Sequence, residues 1–518
     1  MFIMNIPKTI EEVIYKTLKE SIDRDEISIT YKKDYFNILS HFIGNSKITV
    51  GEIPFTIVPY GNNTELKKHL LYFLNNLRSI QKIQIKEKEL KIYFNYLQNE
   101  LNIKENPNDT RLQSVYNLDN IKETLYFTEH GYLVEDGKNM ISVIHRNNPD
   151  IQGHGYDPDP KVAERKAYLE YLERLASTYK LPGKIEGTYF DLKEQAIHPQ
   201  LFGLYPEDVC YNHGLVKYHD ELKLEWCKSK SLLTGKDYLI PEQLVQYLSP
   251  ILNQYVYESS NGSSIGNSYF ESLLYSTLEA VERDIFMKFW FGNLGVKQII
   301  FDDKQQIYQS RKIFLTELGY DLNFYYIDSI TDIPLIWCLI TSNSDDNLVY
   351  SITGLSCHLN VGHAIKSAYN EATNGLLTLL SMDQSKLKKK ILSVEQKGFL
   401  STIMDHVYYF ASNSSKKILE KRIDKVPCIE ISELYNKSFS AMSIKEELDF
   451  LLRKIKSQYK DILVVDQTNE FINNFSLKCT KIILLGSLPL DWTSDLIRSS
   501  DIEENSNRII EKNLHPLG

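Results

Sequence analysis

Three times along this chain a glycine-bearing segment runs into a helix-patterned stretch whose small side chains, three or four residues apart, lead to a glutamate. No other part of the sequence does this. The segments are GHGYDPDPKVAERKAYLEYLERLA, NGSSIGNSYFESLLYSTLEAVERD and GLSCHLNVGHAIKSAYNEATNG. Residues three and four apart share a helical face. The first stretch therefore carries Ala163, Ala167, Glu170 and Arg174 on one stripe with Glu173 beside it, next to an apolar face of Val162, Leu169, Leu172 and Leu175. The second repeats the stripe with Ser272, Ser276, Glu279 and Arg283, adds Glu282, and offers Leu274, Leu278 and Val281 to a core. The third supplies Ala364, Ser367, Ala368 and Glu371 without the ExxER pattern. Strand-like segments (TLYFTEHGYLV, MISVIHR, LVYSITGLSCHL) alternate with these helices, which predicts a mixed α/β or α+β fold.

Small side chains let a ligand or another backbone approach closely. Five carboxylates gathered in one place would repel one another unless a divalent cation neutralised them. Mg2+ suits this role, because it takes hard oxygen ligands and commonly joins protein carboxylates to substrate phosphates. Arg174 and Arg283 would then face phosphate oxygens, which the guanidinium fork matches. A single ExxER is usually a solvated face with an internal ion pair. Two copies, each on a small-residue stripe and joined by a third glutamate helix, are harder to assign to chance. Residues 260–267, SNGSSIGN, read as a glycine loop before the second helix, where free N–H groups favour anions, or as an ordinary turn capped by Asn267. A Walker A loop is absent: Gly235-Lys236 is followed by Asp237.

The 518 residues allow two or three domains, and the net charge of −9 comes with no basic block, which argues against nucleic acid as the main partner. The start, MFIMNIPKTIEE, lacks a cationic region followed by an apolar one, and apolar runs such as residues 333–340 are too short to span a bilayer. The expectation is a cytoplasmic protein. Six scattered cysteines show neither a CxxC pair nor ligand spacing, so buried free thiols are expected. Residues 1–115 form a first module, with helical patterns at 10–22, 65–77 and 87–101 and a strand pair in ITVGEIPFTIVPYGN. The break at 107–119 separates it from residues 116–518.

From about residue 123 onward the chain resembles the YcaO superfamily, and within it the ATP-dependent cyclodehydratases that make thiazoline and oxazoline rings in ribosomal peptides. The family motif SxxxExxER is matched by Lys166, Glu170, Glu173 and Arg174, with lysine in place of serine. The Ser-Asn-Gly-x-x-x-Gly-Asn segment followed by ExxERD is matched from Ser260 through Glu279, Glu282, Arg283 and Asp284. The third motif keeps Glu371 but has Asn374 and Gly375 near the position of its glutamine. Gly153-His154-Gly155 stands where Gly-Lys-Gly is common, and the proline-rich tail shrinks to Leu514-His515-Pro516-Leu517-Gly518.

The resemblance implies a YcaO-type ATP-binding domain using ATP and Mg2+, with Glu170, Glu173, Glu279, Glu282 and Glu371 as metal ligands, directly or through water. It implies Arg174, Arg283, Ser260, Asn261, Gly262, Asn267 and His154 at the nucleotide. His515 or the Gly518 carboxylate becomes the candidate base, with a frayed tail as the alternative. Expected partners are a ribosomal precursor peptide and a leader-peptide-binding protein of the ocin-ThiF type, with no nucleic acid and no membrane. Residues 1–115 serve either to dock that protein or to form a homodimer. Competing expectations are thioamide or amidine formation by the same kind of site, and a nucleotide-binding subunit without turnover.

Overall fold

The computed structural model describes residues 139–491 apart from short gaps, residue 498 and residues 514–517, and ahead of these the backbone of four strands. Strand β1 (Phe2–Met4) runs parallel to β2 (Ser46–Val50), which turns back antiparallel into β3 (Ile53–Ile57), the pair expected from ITVGEIPFTI. The three helical patterns of the first module and the break at 107–119 lie outside the described residues.

A second three-stranded antiparallel sheet is built from β4 (Phe127–Leu133), β5 (Asn139–His145) and β6 (Gln152–Asp157). The next strands in the chain are β7 (Ile185–Gly187), β8 (Leu224–Ser231), β9 (Asp237–Pro241) and β10 (Ser263–Gly266). They join β16 (Asp461–Asp466) and β17 (Lys478–Leu485) in a sheet of order β10-β17-β16-β8-β7, with β9 paired to β8. The remaining strands, β11 (Val296–Ile300), β12 (Tyr320–Ile327), β13 (Leu335–Ser342), β14 (Ser351–Cys357) and β15 (Cys428–Glu430), form a sheet of order β14-β13-β12-β11-β15. In each of the three sheets that follow the first, one edge strand (β6, β10, β14) is the strand that precedes a glutamate helix.

Those helices are α1 (Pro160–Thr178), α2 (Tyr269–Phe291) and α3 (Val361–Ser381). Each begins where the sequence supplies a cap: Asp159, Ser268 and Asn360 accept from the backbone N–H groups of Lys161, Glu271 and His363. Residues 263–266 are strand, not loop. The glycine turn expected over 260–267 is confined to its start, and Ser268 caps α2 in place of Asn267. Glu271 reaches back to the Asn267 N–H at 2.9 Å, which completes a reciprocal cap and leaves the Asn267 side chain in solvent.

Alternation along the strands shows why the helices lie between sheets. On β13, Ile336, Cys338 and Ile340 join α3 residues such as Ala368 and Leu376 in one core, while Leu335, Trp337 and Leu339 face α2 residues Phe286 and Trp290 in another. The opposite side of α2 packs on Ile482 and Leu484 of β17. Ile265 and Cys479 on the far face of that sheet meet α1, whose other side packs on Val143 of β5. The result is a stack in which α1 and α2 are each enclosed by sheets. Cys428 is exposed and the other five cysteines are buried, all as free thiols. Among the described residues no helix is long and apolar enough to cross a membrane.

Candidate active site

The small-residue stripes bring backbone, not ligand, close to the helices. A Cβ on Gly155 would lie 1.6 Å from the Ala163 carbonyl oxygen and one on Gly153 would lie 2.2 Å from that of Ala167, so β6 seats on α1 only because these positions are glycine. Gly354 of β14 repeats this against Ala368 at 2.1 Å. The second unit uses serine instead. Ser272 Oγ donates to the Ser264 carbonyl at 2.7 Å, and Ser276 Oγ donates to the Thr480 carbonyl at 3.0 Å, fastening α2 to β10 and β17.

Each stripe then delivers its carboxylates to an edge strand, where backbone N–H groups lack a strand partner. Glu170 accepts the His154 N–H at 2.6 Å, Glu371 accepts that of Leu355 at 2.8 Å, and Glu282 accepts that of Cys357 at 2.7 Å. Glu173 is hydrogen-bonded by the backbone of Ile265 in β10. The three edges thus collect the glutamates of three helices in one acidic locus. Burial raises the Glu173 carboxyl well above the ordinary range, with Glu279 and Glu170 adding and Arg174 opposing. Glu279 is also raised by burial, against the pull of Arg283, Lys481 and Arg174. Burial lifts Glu282 to about 8, Arg283 opposing and Glu371 reinforcing, and Glu371 is raised by burial too.

Arg283 stands among these acids. Burial pulls its guanidinium down, but Glu282, Glu279 and Glu371 outweigh this and raise it. Its Nε lies 3.7 Å from Glu282, too long for a hydrogen bond, and is buried without a hydrogen-bond partner. Arg174 differs, since its Nη2 closes on Glu170 at 2.7 Å. Lys166 pairs with Asp157 at 2.7 Å one turn before Glu170.

Among the described residues no three His, Cys, Asp or Glu side chains close into a ready-made metal cage. The donor set nonetheless fits Mg2+: four of the five carboxylates are held by backbone hydrogen bonds, and burial raises the pKa values of Glu173, Glu279, Glu282 and Glu371, crowded acids that a divalent cation would neutralise.

The turn entering β10 is tight. The Ser260 carbonyl accepts the Ser263 N–H at 2.9 Å, and Gly262, at φ +77°, gives its carbonyl to the Ile482 N–H at 2.8 Å. A Cβ there would meet the Ile482 oxygen at 2.5 Å. Asn261 and Arg283 line one cavity with Lys481. Asn267 sits at the other end of β10, roughly 13 Å away at the rise of a strand. His154 meets Glu170 through its backbone only, while its ring bonds Ser142 at 2.8 Å and burial lowers its pKa.

Lys481, which sequence reasoning passed over, is 3% exposed and donates to the Ser259 carbonyl. Its signal was a lysine directly before the apolar stretch at residues 482–485. The tail at 514–517 is docked, with Leu514 accepting from the Trp290 indole at 2.8 Å and Leu517 in the core. His515 is stacked on His406 at 4.2 Å, and burial, with His406, pushes its pKa down to about 3, which makes it a weak base at neutral pH. Gly518 lies outside the described residues.

A family model described as YcaO cyclodehydratase, ATP- and Mg2+-binding, matches residues 153–485, well over half of the chain. The chain belongs to the YcaO family. Its ligands are accordingly ATP and Mg2+. No curated protein matches the sequence. Among solved structures, a heterocyclase in complex with substrate and cofactor is similar at 19% identity and a TM-score of 0.56, over 67% of this YcaO chain and 48% of the heterocyclase. The present chain thus spans about half the length of that protein. The YcaO protein of Methanopyrus kandleri bound with AMPPCP and Mg2+ is similar at 15% identity and a TM-score of 0.52, over 71% and 87% of the two chains. At these identities the likeness establishes a shared fold, the mixed α and β architecture expected from the sequence.

Proposed function

We propose that this YcaO protein is an ATP-dependent peptide cyclodehydratase that converts Cys, Ser or Thr of a ribosomal precursor peptide into thiazoline or oxazoline rings. The observation that carries this reading is the meeting of five glutamates from three helices in one locus, three of them (Glu279, Glu282 and Glu371) acting on Arg283, whose buried Nε has no hydrogen-bond partner within the protein. Glu170, Glu173, Glu279, Glu282 and Glu371 would hold Mg2+, directly or through water. Bound there, the metal would supply charge neutralisation for the triphosphate. Arg283 and Arg174 would face phosphate oxygens, and the Ser260–Asn261–Gly262 turn would border them.

The chemistry requires an amide oxygen to leave. The peptide's thiol or hydroxyl adds to the preceding carbonyl and loses its proton. The oxyanion takes the γ-phosphoryl group of ATP, releasing ADP. Loss of phosphate then forms the C=N bond of the azoline as the nitrogen gives up its proton. Fixed guanidinium groups stabilise the negative charge moving through these steps. We further propose that residues 1–115, ahead of the matched region, form a separate module that docks a leader-binding partner protein or a second copy of the chain.

Phosphate release from ATP, measured with a Cys/Ser/Thr-rich precursor peptide and the partner protein, should track a loss of about 18 Da per residue modified, one water per ring. Tight Mg-ATP binding without phosphate release would support a non-catalytic subunit and overturn the proposal. A gain of mass on sulfide addition would assign thioamide formation instead.

A further inference from the structure

Lys481 lies in the β17 run KCTKIILL, directly before the apolar stretch at residues 482–485, and its side chain is buried. A buried ammonium persists only where other groups compensate it. Burial pulls its pKa down to about 8, with Glu279 and Glu173 holding it up and Arg498 opposing. With Asn261 and Arg283 it lines a cavity of about 100 Å3.

The other charged groups on this cavity are committed elsewhere. Asp284 accepts from Lys288 at 2.7 Å, from the Tyr459 hydroxyl at 2.6 Å and from the Leu488 N–H at 2.7 Å. Arg498 is fastened to Asp491 by contacts of 3.0 and 3.1 Å. A lysine ammonium has three donors, and the bond to Ser259 uses one. The cavity is therefore lined by two cationic side chains with donor capacity to spare, the Lys481 ammonium and the Arg283 Nε, which has no hydrogen-bond partner.

We infer that Lys481 anchors the polyphosphate of the nucleotide, forming with Arg283 and the turn at Ser259–Gly262 an anion-binding cavity beside the glutamates. The inference rests on the Mg-ATP reading above and deepens it. By holding the Ser259 carbonyl, the same ammonium also fixes the turn that borders the phosphates.

An acyl-phosphate derivative of ATP tests this on the unmodified protein with Mg2+. A lysine amine at the phosphates attacks the acyl carbonyl, forms an amide, loses its proton to solvent and releases ATP. Peptide mapping should find the acyl group on Lys481, with labelling suppressed by excess ATP. Labelling confined to other lysines, Lys166 for example, would overturn the inference. In parallel, K481M should weaken Mg-ATP binding by about 10-fold or more while AMP binding stays within about two-fold, and K481R should retain most of the ATP affinity. Unchanged ATP affinity in K481M, or an equal loss for ATP and AMP that arginine does not restore, would also overturn it. A wild-type protein that binds no Mg-ATP at all would instead bring down the functional reading, independently of Lys481.

Discussion

Helices α1 and α2 carry the same ExxER signature at the same spacing and reach different electrostatic states. On α1, Arg174 turns back onto Glu170 at 2.7 Å, both side chains remain about a quarter to a third exposed, and Glu170 also takes the His154 N–H. On α2, Glu279 and Arg283 stand in the same i,i+4 relation without closing an ion pair, and Glu282 is committed to β14. Glu170 and Arg174 of the first unit balance each other at a partly exposed position, whereas Glu279, Glu282 and Arg283 of the second are withdrawn from water without closing such a pair. The difference teaches that a motif specifies which groups share a face, while enclosure decides whether they pair with each other or await a ligand.

The packing beneath the two units offers the sharpest contrast. Replacing Gly155 by alanine forces a Cβ into the Ala163 carbonyl and should cost about 3 kcal/mol in denaturant unfolding, whereas Ser272→Ala loses one hydrogen-bonded hydroxyl and should cost about 1 kcal/mol. Equal costs would break the distinction between a glycine-seated and a serine-fastened strand. For ligand binding, Glu282→Gln should lower Mg-ATP affinity by about 100-fold and Glu170→Gln by about 10-fold, since the latter is already compensated by Arg174. Titration calorimetry of both variants checks the ratio.

Stability without ligand should show a smaller version of the same asymmetry. Arg283→Ala leaves enclosed glutamates without their central cation and should cost about 2 kcal/mol, against under about 1 kcal/mol for Arg174→Ala on a partly solvated pair. The smallest effect is in pH dependence. The Glu282 pKa in the folded protein is raised from its ordinary 4.5 to about 8. Its stabilising contribution is therefore complete below about 4.5 and is lost as pH rises through about 8. The melting temperature of the ligand-free protein should fall over that window by roughly 2–4 °C, Mg2+ should restore more of it at higher pH, and Glu282→Gln should flatten the dependence. A slope unchanged by that substitution would show that Glu282 is not the titrating group.

Much of the site was legible because helical periodicity is local. The stripes ending in Glu170, Glu279 and Glu371 lie on helices capped where Asp159, Ser268 and Asn360 stand in the sequence. Two features were not legible. Residues 263–266 pattern as a glycine loop because SSIG has weak strand propensity by itself, and only pairing with β17 makes them a strand. Lys481 escaped notice because a lysine in a strand gains meaning only from what faces it, and Glu173, Glu279 and Ser259 come from distant parts of the chain.

The sequence by itself determined that three glycine-led helices would carry glutamates on small-residue faces, that two would add arginine, and that the fold would mix helices and sheets. These are consequences of residue spacing and backbone preference within some twenty residues. Only the tertiary structure decided that the small residues serve strand packing, that the carboxylates cap the free edges of three sheets, and that Arg174 is paired while the Arg283 Nε is not. Those outcomes depend on which groups are withdrawn from water together, and burial is set by packing between segments far apart in the chain.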